Sequence, residues 1–224
     1  MISSKMKKMF KFTEIIKNVY HFNFDTQEEC ARTFCRFEEY YESPFWQGKI
    51  FTLDQYKEWY TKTYGLWSYY TDWNGFNIPD YAFKPFFEKK FKHLTKKEKN
   101  VLKKLESVTC NQRYYVIATH NVGESTLKHE LAHALYYVND EYFNNVYKIL
   151  LLHDYPIIPL YEWMMEGGYT MSSALDEFHA YLLEYEDLLR YKNMEKFITD
   201  IKPYEKVGKL LQENFNKFYK GEQK

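Results

Sequence analysis

Apolar residues recur every three or four positions along most of the chain, and this spacing is typical of amphipathic helices. A first helix is predicted to begin at Asp25 or Thr26, with acidic residues in its first turn, and to end before Pro44. A second helix is predicted to begin near Thr52 and to end at Gly65. The pattern therefore indicates a mainly helical N-terminal part.

A lysine-rich helix is predicted to follow. Thr95 and Glu98 have the spacing of a capping box, and Val101, Leu102 and Leu105 form a stripe that can be buried. The lysines then occupy the solvated face of the helix. Because a solvated face accounts for the lysines, we expect no nucleic-acid partner.

The clearest strand is Arg113–His120, where β-branched and aromatic residues form a run of strand length. Between residues 68 and 83, turn-forming residues lie among aromatic ones, namely Asn74-Gly75 and Pro79. This mixture predicts a packed loop or an irregular hairpin.

The C-terminal half is predicted to be helical. One or two short helices interrupted by Pro156 and Pro159 come first, and a further helix is predicted from about Ser173 to Tyr191. Residues 192–224 are predicted to add a last helix that frays at its end.

These elements predict an α+β fold that is predominantly helical, with a small sheet before the helix at residues 125–137 and a helical C-terminal part. We expect one domain over residues 1–224, since this length suits a single core. Within it, residues 1–110 form a helical, aromatic part of no assigned role. Residues 111–191 carry the candidate chemistry, and residues 192–224 form the C-terminal helix.

Charge and composition narrow the possible partners. The chain has 31 basic and 31 acidic residues, so no net field favours nucleic acid or an anionic membrane. No apolar run reaches the ~18 residues of a membrane span, and the first residues have no unbroken apolar stretch of a signal peptide. The three cysteines, Cys30, Cys35 and Cys110, have no framework spacing and are interpreted as small hydrophobes. We therefore expect a cytoplasmic protein.

The stretch STLKHELAHALYY, residues Ser125–Tyr137, contains the pattern His-Glu-x-x-His. Residues four apart lie on one face of a helix, so His129 and His133 can direct their imidazoles at one point. This geometry suits two nitrogen ligands of a tetrahedral Zn²⁺. Glu130 would lie beside the pair, where it can act as general base on a water that the metal acidifies.

The surrounding residues support a helix at this motif. Leu127, Leu131 and Leu135 cluster on one side of a helical wheel, and both histidines project from nearly the opposite side. Asn121 and Glu124 have the spacing of an N-terminal cap, so the helix should begin just before Ser125.

A catalytic zinc site needs a third protein ligand and one open position. The downstream candidates are acids and histidines: His153, Asp154, Glu162, Glu166, Asp176, Glu177 and His179. Glu177 is favoured because Ala180 lies three residues later and allows a close helix approach. His179 is the reserve, since it flanks the apolar stripe of the same helix on the other side.

The stretches HELAH and DEFHAYLLE resemble the zincin metallopeptidases, and most closely the gluzincin branch, over about residues 114–184. The resemblance implies that His129, His133 and Glu177 bind zinc and that Glu130 is the base. It also implies that a strand edge before the motif helix holds an extended peptide or protein substrate. That strand would consist of Tyr114, Tyr115, Val116, Ile117, Ala118 and Thr119.

Two features depart from the family pattern. The step from His133 to Glu177 is longer than in compact members, and extra helices would fill it. The best-known branch has an aspartate four residues after its glutamate to orient a ligand histidine, and this chain has Tyr181 there. The residue that stabilises the oxyanion stays open among Tyr169, His153 and Tyr137.

Three functions remain open at this point. The first is a zinc-dependent peptidase. The second is a regulatory protein on the same fold that cleaves or binds a repressor, and the third is a non-enzymatic interaction protein whose metal is structural or lost. The sequence predicts neither the substrate nor the oligomeric state.

Overall fold

The computed structural model of the chain describes residues 9–109, 112–120, 123–167, 171 and 173–221. The fold class is α+β, as predicted, with 62% helix and one four-stranded sheet. The chain divides into two compact units, Met1–Val122 and Gly123–Lys224. The boundary falls inside the predicted region 111–191, and the expectation of one domain stays a prediction.

The first unit is built on the sheet. Its strands are β1 (Lys11–Ile16), β2 (Val19–Phe24), β3 (Gly75–Pro79) and β4 (Tyr115–His120), in the order β1-β2-β4-β3. β1 and β2 form an antiparallel hairpin, β2 runs parallel to β4, and β3 runs antiparallel to β4. Asn18 closes the hairpin with φ 64°, a left-handed conformation that asparagine tolerates. The predicted strand Arg113–His120 corresponds to β4.

Five helices complete the first unit: α1 (Gln27–Glu42), α2 (Leu53–Tyr64), α3 (Tyr69–Asp72), α4 (Asp80–Phe87) and α5 (Lys96–Glu106). The predicted ends of three helices are confirmed by their caps. Thr26 caps α1, and Thr52 and Thr95 form capping boxes with Gln55 and Glu98. Gly65 ends α2 at φ 87°.

The prediction of a packed loop or irregular hairpin over residues 68–83 is wrong. Gly75 begins strand β3 rather than closing a turn, because β3 finds its partner in β4, far along the chain. Pro79 ends this edge strand, where its missing N–H leaves no ladder bond unmade, and it also precedes α4. The aromatic residues of the segment are core residues, including Tyr69, Phe76 and Phe83.

The first core is aromatic, as the composition indicates. Phe34 of α1 packs against Phe22, Phe24 and Phe76 of the sheet, with ring centroids 5.6–6.2 Å apart. Cys30 and Cys35 are buried and free, which agrees with their interpretation as small hydrophobes. Cys110 lies outside the described residues.

The second unit is helical in its described residues. Its helices are α6 (Glu124–Val138), α7 (Asp140–Leu152), α8 (Ile157–Glu166), α9 (Ala174–Leu183) and α10 (Lys202–Gly221). Two 3-10 segments, Tyr185–Arg190 and Met194–Lys196, link α9 to α10. The helix predicted from Ser173 to Tyr191 thus changes to the tighter form after Leu183.

Two local predictions concern a helix start and a proline in this unit. Helix α6 begins at Glu124, as predicted, and its N-cap position is Gly123, which has no side chain to accept a backbone hydrogen bond; Asn121, the predicted cap, lies outside the described residues. Pro159 does not break a helix, because it lies in the first turn of α8, where a missing N–H costs nothing. Pro156 does separate α7 from α8, as expected.

Helix α9 is central to the second unit, since it packs against α6, α7 and α10. The buried residues it contributes include Phe178, Ala180 and Leu182. None of the helices in the described part of the chain has the length and apolar character required to cross a membrane.

Candidate metal centre

Helix α6 brings His129 and His133 together. Their Nε2 atoms lie 3.2 Å apart, and their rings meet at 74°. Leu131 and Leu135 are buried on the other side of the helix, as the wheel predicts. The histidines do not face open solvent, however, because His133 is only 3% exposed. Both sides of α6 are therefore packed.

Glu177, in the first turn of α9, completes a three-residue group. Its Oε2 lies 3.8 Å from Nε2 of His133, and one ligand atom from each of the three residues lies within 4.8 Å of the others. His179, the reserve, does not belong to this group among the described residues, and neither does His153. The structure thus brings together the three side chains that the sequence analysis favours.

Two of the three atom separations in this group are close to those around a zinc ion. Tetrahedral zinc with ligand bonds of ~2.0–2.1 Å places its ligand atoms about 3.3 Å from one another. The separations are 3.2 Å between the histidines and 3.8 Å between His133 and Glu177, and the third pair lies within 4.8 Å. Two imidazoles and one carboxylate are also a ligand set that zinc accepts, with one position left open.

A carboxylate lies behind His133. Oδ1 of Asp176 is 2.9 Å from Nδ1 of His133, the nitrogen that faces away from the group. Burial lowers the pKa of His133, but Asp176 and then Glu177 outweigh it and raise the pKa to about 10. The surroundings of His133 therefore favour positive charge, which either a proton or a metal cation supplies.

His129 has a different electrostatic environment. Burial lowers its pKa well below the usual range, and His133 and His179 lower it further. The ring is therefore neutral and keeps a lone pair for a cation. Its Nδ1 lies 3.9 Å from Oε2 of Glu184, which accepts a 2.7 Å hydrogen bond from the hydroxyl of Tyr191.

A tyrosine ring packs against His129. Tyr181 meets it edge to face, with centroids 4.9 Å apart, and Trp163 and Tyr191 pack against Tyr181 in turn. Tyr181 occupies the position where the family has an aspartate, and it contacts the histidine through its ring. The carboxylates nearest the outer nitrogens of the two histidines come instead from Asp176 and Glu184.

The positions of these two carboxylates are not predicted from the sequence, in which Asp176 is a candidate ligand only and Glu184 is not among the candidates. The sequence does contain a signal for both acids, because Asp176 directly precedes Glu177 and Glu184 lies two helical turns beyond Glu177. Which of these acids faces α6 depends on how α9 is rotated about its axis, and that rotation is set by packing against the neighbouring helices.

Glu130 lies next to the ligand group and outside it. The residue is half-buried on α6, and its charge is among those that raise the pKa of His133. The candidates for oxyanion stabilisation that lie among the described residues are not part of the ligand group. His153 lies at the C-terminus of α7, Tyr137 is half-buried on α6, and Tyr169 lies outside the described residues.

The predicted substrate strand has no free edge, so that expectation is wrong. Tyr115 to Thr119 lie in β4, which pairs with β2 on one side and β3 on the other, and Tyr114 directly precedes it. All six side chains are also buried. Addition of a peptide strand needs unpaired N–H and C=O groups, which β4 does not offer.

Comparisons with known protein families, with curated proteins and with solved structures find no match to this chain. The resemblance to zincins therefore rests on the motif and on the arrangement of the three side chains.

Proposed function

We propose that the protein is a zinc-dependent peptidase with a zincin-like arrangement of ligands. One observation carries this proposal, namely the convergence of His129, His133 and Glu177 from two helices to within 4.8 Å. A chance His-Glu-x-x-His pattern on a surface helix would place no carboxylate from a distant helix beside both imidazoles. The burial of His133 also argues against a solvated surface pair.

The protein side chains would divide the work as follows. His129 and His133 each present an imidazole nitrogen, and Glu177 presents a carboxylate oxygen. A zinc ion held there would supply Lewis acidity to a water molecule and to a peptide carbonyl. Glu130 would accept the proton of the attacking water and deliver it to the leaving amine.

The test is a comparison of zinc content and peptide hydrolysis in three proteins. The wild type should contain one zinc per chain and cleave unstructured peptides. Glu130→Gln should keep its zinc and lose about 10²–10⁴-fold in kcat/KM, because a general base contributes a factor of this size. Glu141→Gln is the matched control, since Glu141 is exposed and pairs with Lys217.

Each outcome has a defined meaning. Hydrolysis that is unchanged in Glu130→Gln would refute the mechanism. A wild type that binds zinc but cleaves no peptide in a broad library would favour a binding role, such as the capture of a repressor. A wild type without zinc after purification in the absence of chelators would remove the metal proposal itself.

A further inference from the structure

His179 is fully buried next to the candidate metal centre but is not one of its ligands. Its Nδ1 lies 3.3 Å from Oδ1 of Asp176. The same oxygen lies 2.9 Å from Nδ1 of His133. One carboxylate oxygen thus faces two imidazole nitrogens, one from a proposed ligand and one from a residue behind it.

The ring of His179 is held by its neighbours. Tyr136 of α6 stacks on it at 19°, with centroids 4.9 Å apart, and Tyr142 of α7 packs against it at a steep angle. The imidazole is therefore clamped by two helices other than its own. A ring held in this way presents a fixed nitrogen to Asp176.

The chemistry of the three groups defines their relationship. A neutral imidazole carries one N–H, and a carboxylate facing one nitrogen favours the form with the proton on that nitrogen. A carboxylate oxygen has two lone pairs, and Oδ1 of Asp176 lies within 2.9 Å and 3.3 Å of the two Nδ1 atoms, although among the described residues neither pair has hydrogen-bond alignment. The Nδ1–H of His133 then points at Asp176, and its Nε2 keeps the lone pair that faces Glu177 and His129.

We propose that Asp176 and His179 are positioning residues for His133, with Asp176 fixing the His133 ring and His179 fixing Asp176. This inference rests on the proposed zinc site. His179 thus has a role other than metal ligation. It affects metal binding only through Asp176, so the two residues act in series.

The experiment measures Zn²⁺ affinity by competition with a chromophoric chelator, together with the visible spectrum of the Co²⁺-substituted protein. Asp176→Asn should bind Zn²⁺ about 10–100-fold more weakly, as is typical when a partner of a ligand histidine is lost. His179→Phe keeps a ring between the tyrosines but has no N–H, and should weaken binding by about tenfold. His179→Asn places an amide N–H near the position of Nδ1 and should restore most of the affinity.

A double variant tests the order of action. Asp176→Asn combined with His179→Phe should bind no more weakly than Asp176→Asn alone, because the second residue acts through the first. The two variants that weaken binding should also shift the Co²⁺ bands, which report the ligand geometry. Asp187→Asn is the matched control, since Asp187 lies in the next segment, pairs with Arg190 and should change neither readout.

Three results would overturn the inference. One is an Asp176→Asn protein with wild-type affinity and spectrum. Another is equal weakening by His179→Phe and His179→Asn, which would indicate packing alone, and a third is a double variant whose loss equals the product of the single losses. If circular dichroism shows that His179→Phe is unfolded, Asp176→Asn and His179→Asn decide the matter. Failure of the wild type to bind either metal would count against the proposed function instead.

Discussion

At the scale of single residues, His129 and His133 differ in charge preference although they lie one helical turn apart. Burial lowers the pKa of both. Only His133 has Asp176 against its outer nitrogen at 2.9 Å, and the carboxylates reverse the shift there. The group thus combines one neutral imidazole with one that favours a positive neighbour, which suits the binding of a single cation.

Some of these residues could be predicted from sequence and others could not. His129 and His133 follow from helical spacing, and the choice of Glu177 over His179 follows from the small Ala180 nearby. The position of Asp176 behind His133 could not be predicted, because a rotation of α9 about its axis by one residue would exchange the positions of Asp176 and Glu177. Which side chain contacts the outer nitrogen of a proposed ligand histidine depends on tertiary packing, and the local sequence pattern carries no information on that packing.

His21, in the first unit, gives a prediction on pH. Burial lowers its pKa from 6.5 to about 4, with a contribution from Lys11, and its Nε2 lies 2.7 Å from Oγ1 of Thr119. Between these pH values the unfolded chain binds more protons at this site than the folded chain. Its contribution to stability is therefore complete above pH 6.5 and is lost as the pH falls towards 4.

The measurement is urea unfolding of the wild type and of His21→Gln between pH 7 and pH 4.5. Glutamine keeps a polar group near Thr119 and does not titrate. The wild type should lose on the order of 2 kcal/mol more than the variant over this range. Equal losses in the two proteins would contradict the burial of a neutral histidine.

At the scale of elements, caps and periodicity predicted the helices well. Thr52 with Gly65, and Thr95 with Glu98, set helix ends that the structure reproduces. The strands were harder to predict. The sequence pattern predicts no hairpin around Asn18. It predicts a packed loop or an irregular hairpin where β3 lies, because the pairing of β3 with β4 joins residues distant in sequence.

Helix α10 contains a glycine that its contacts require. A Cβ at Gly208 would meet the ring of Tyr185 and would lie 2.9 Å from the carbonyl oxygen of Leu182. Gly208→Ala should therefore destabilise the protein by about 2 kcal/mol through overpacking, although alanine is the better helix former. Urea unfolding monitored by circular dichroism measures this change.

Gly123→Ala is the matched control for this substitution. A Cβ at Gly123 meets no described atom within 4 Å, and its φ of −67° suits alanine. We expect a loss of at most about 1 kcal/mol there, from the helix cap. If Gly208→Ala instead raised the free energy of unfolding, α10 would not lie as close to Tyr185 and Leu182 as the structure places it.

At the scale of the whole molecule, the three candidate ligands all belong to the second compact unit. The predicted region 111–191 combined β4 of the first unit with these helices, because strand and motif are adjacent in sequence. Sequence proximity alone could not reveal the boundary after Val122.

Removal of metal should therefore affect one unit selectively. A ligand that binds only the folded state stabilises it by about 2.7 kcal/mol at 100 times its Kd. Zinc should slow amide hydrogen exchange in α6 and α9, which carry the proposed ligands, and a chelator should reverse this. The strands of the first unit should exchange at the same rate in both conditions. Uniform slowing over both units would contradict a site confined to these two helices.

The most direct test is a crystal structure of the zinc-loaded protein with anomalous diffraction at the zinc edge. We expect one strong anomalous peak at about 2.0–2.2 Å from Nε2 of His129, Nε2 of His133 and a carboxylate oxygen of Glu177. A peak at other residues, or none at this group in a zinc-saturated crystal, would refute the proposed zinc site.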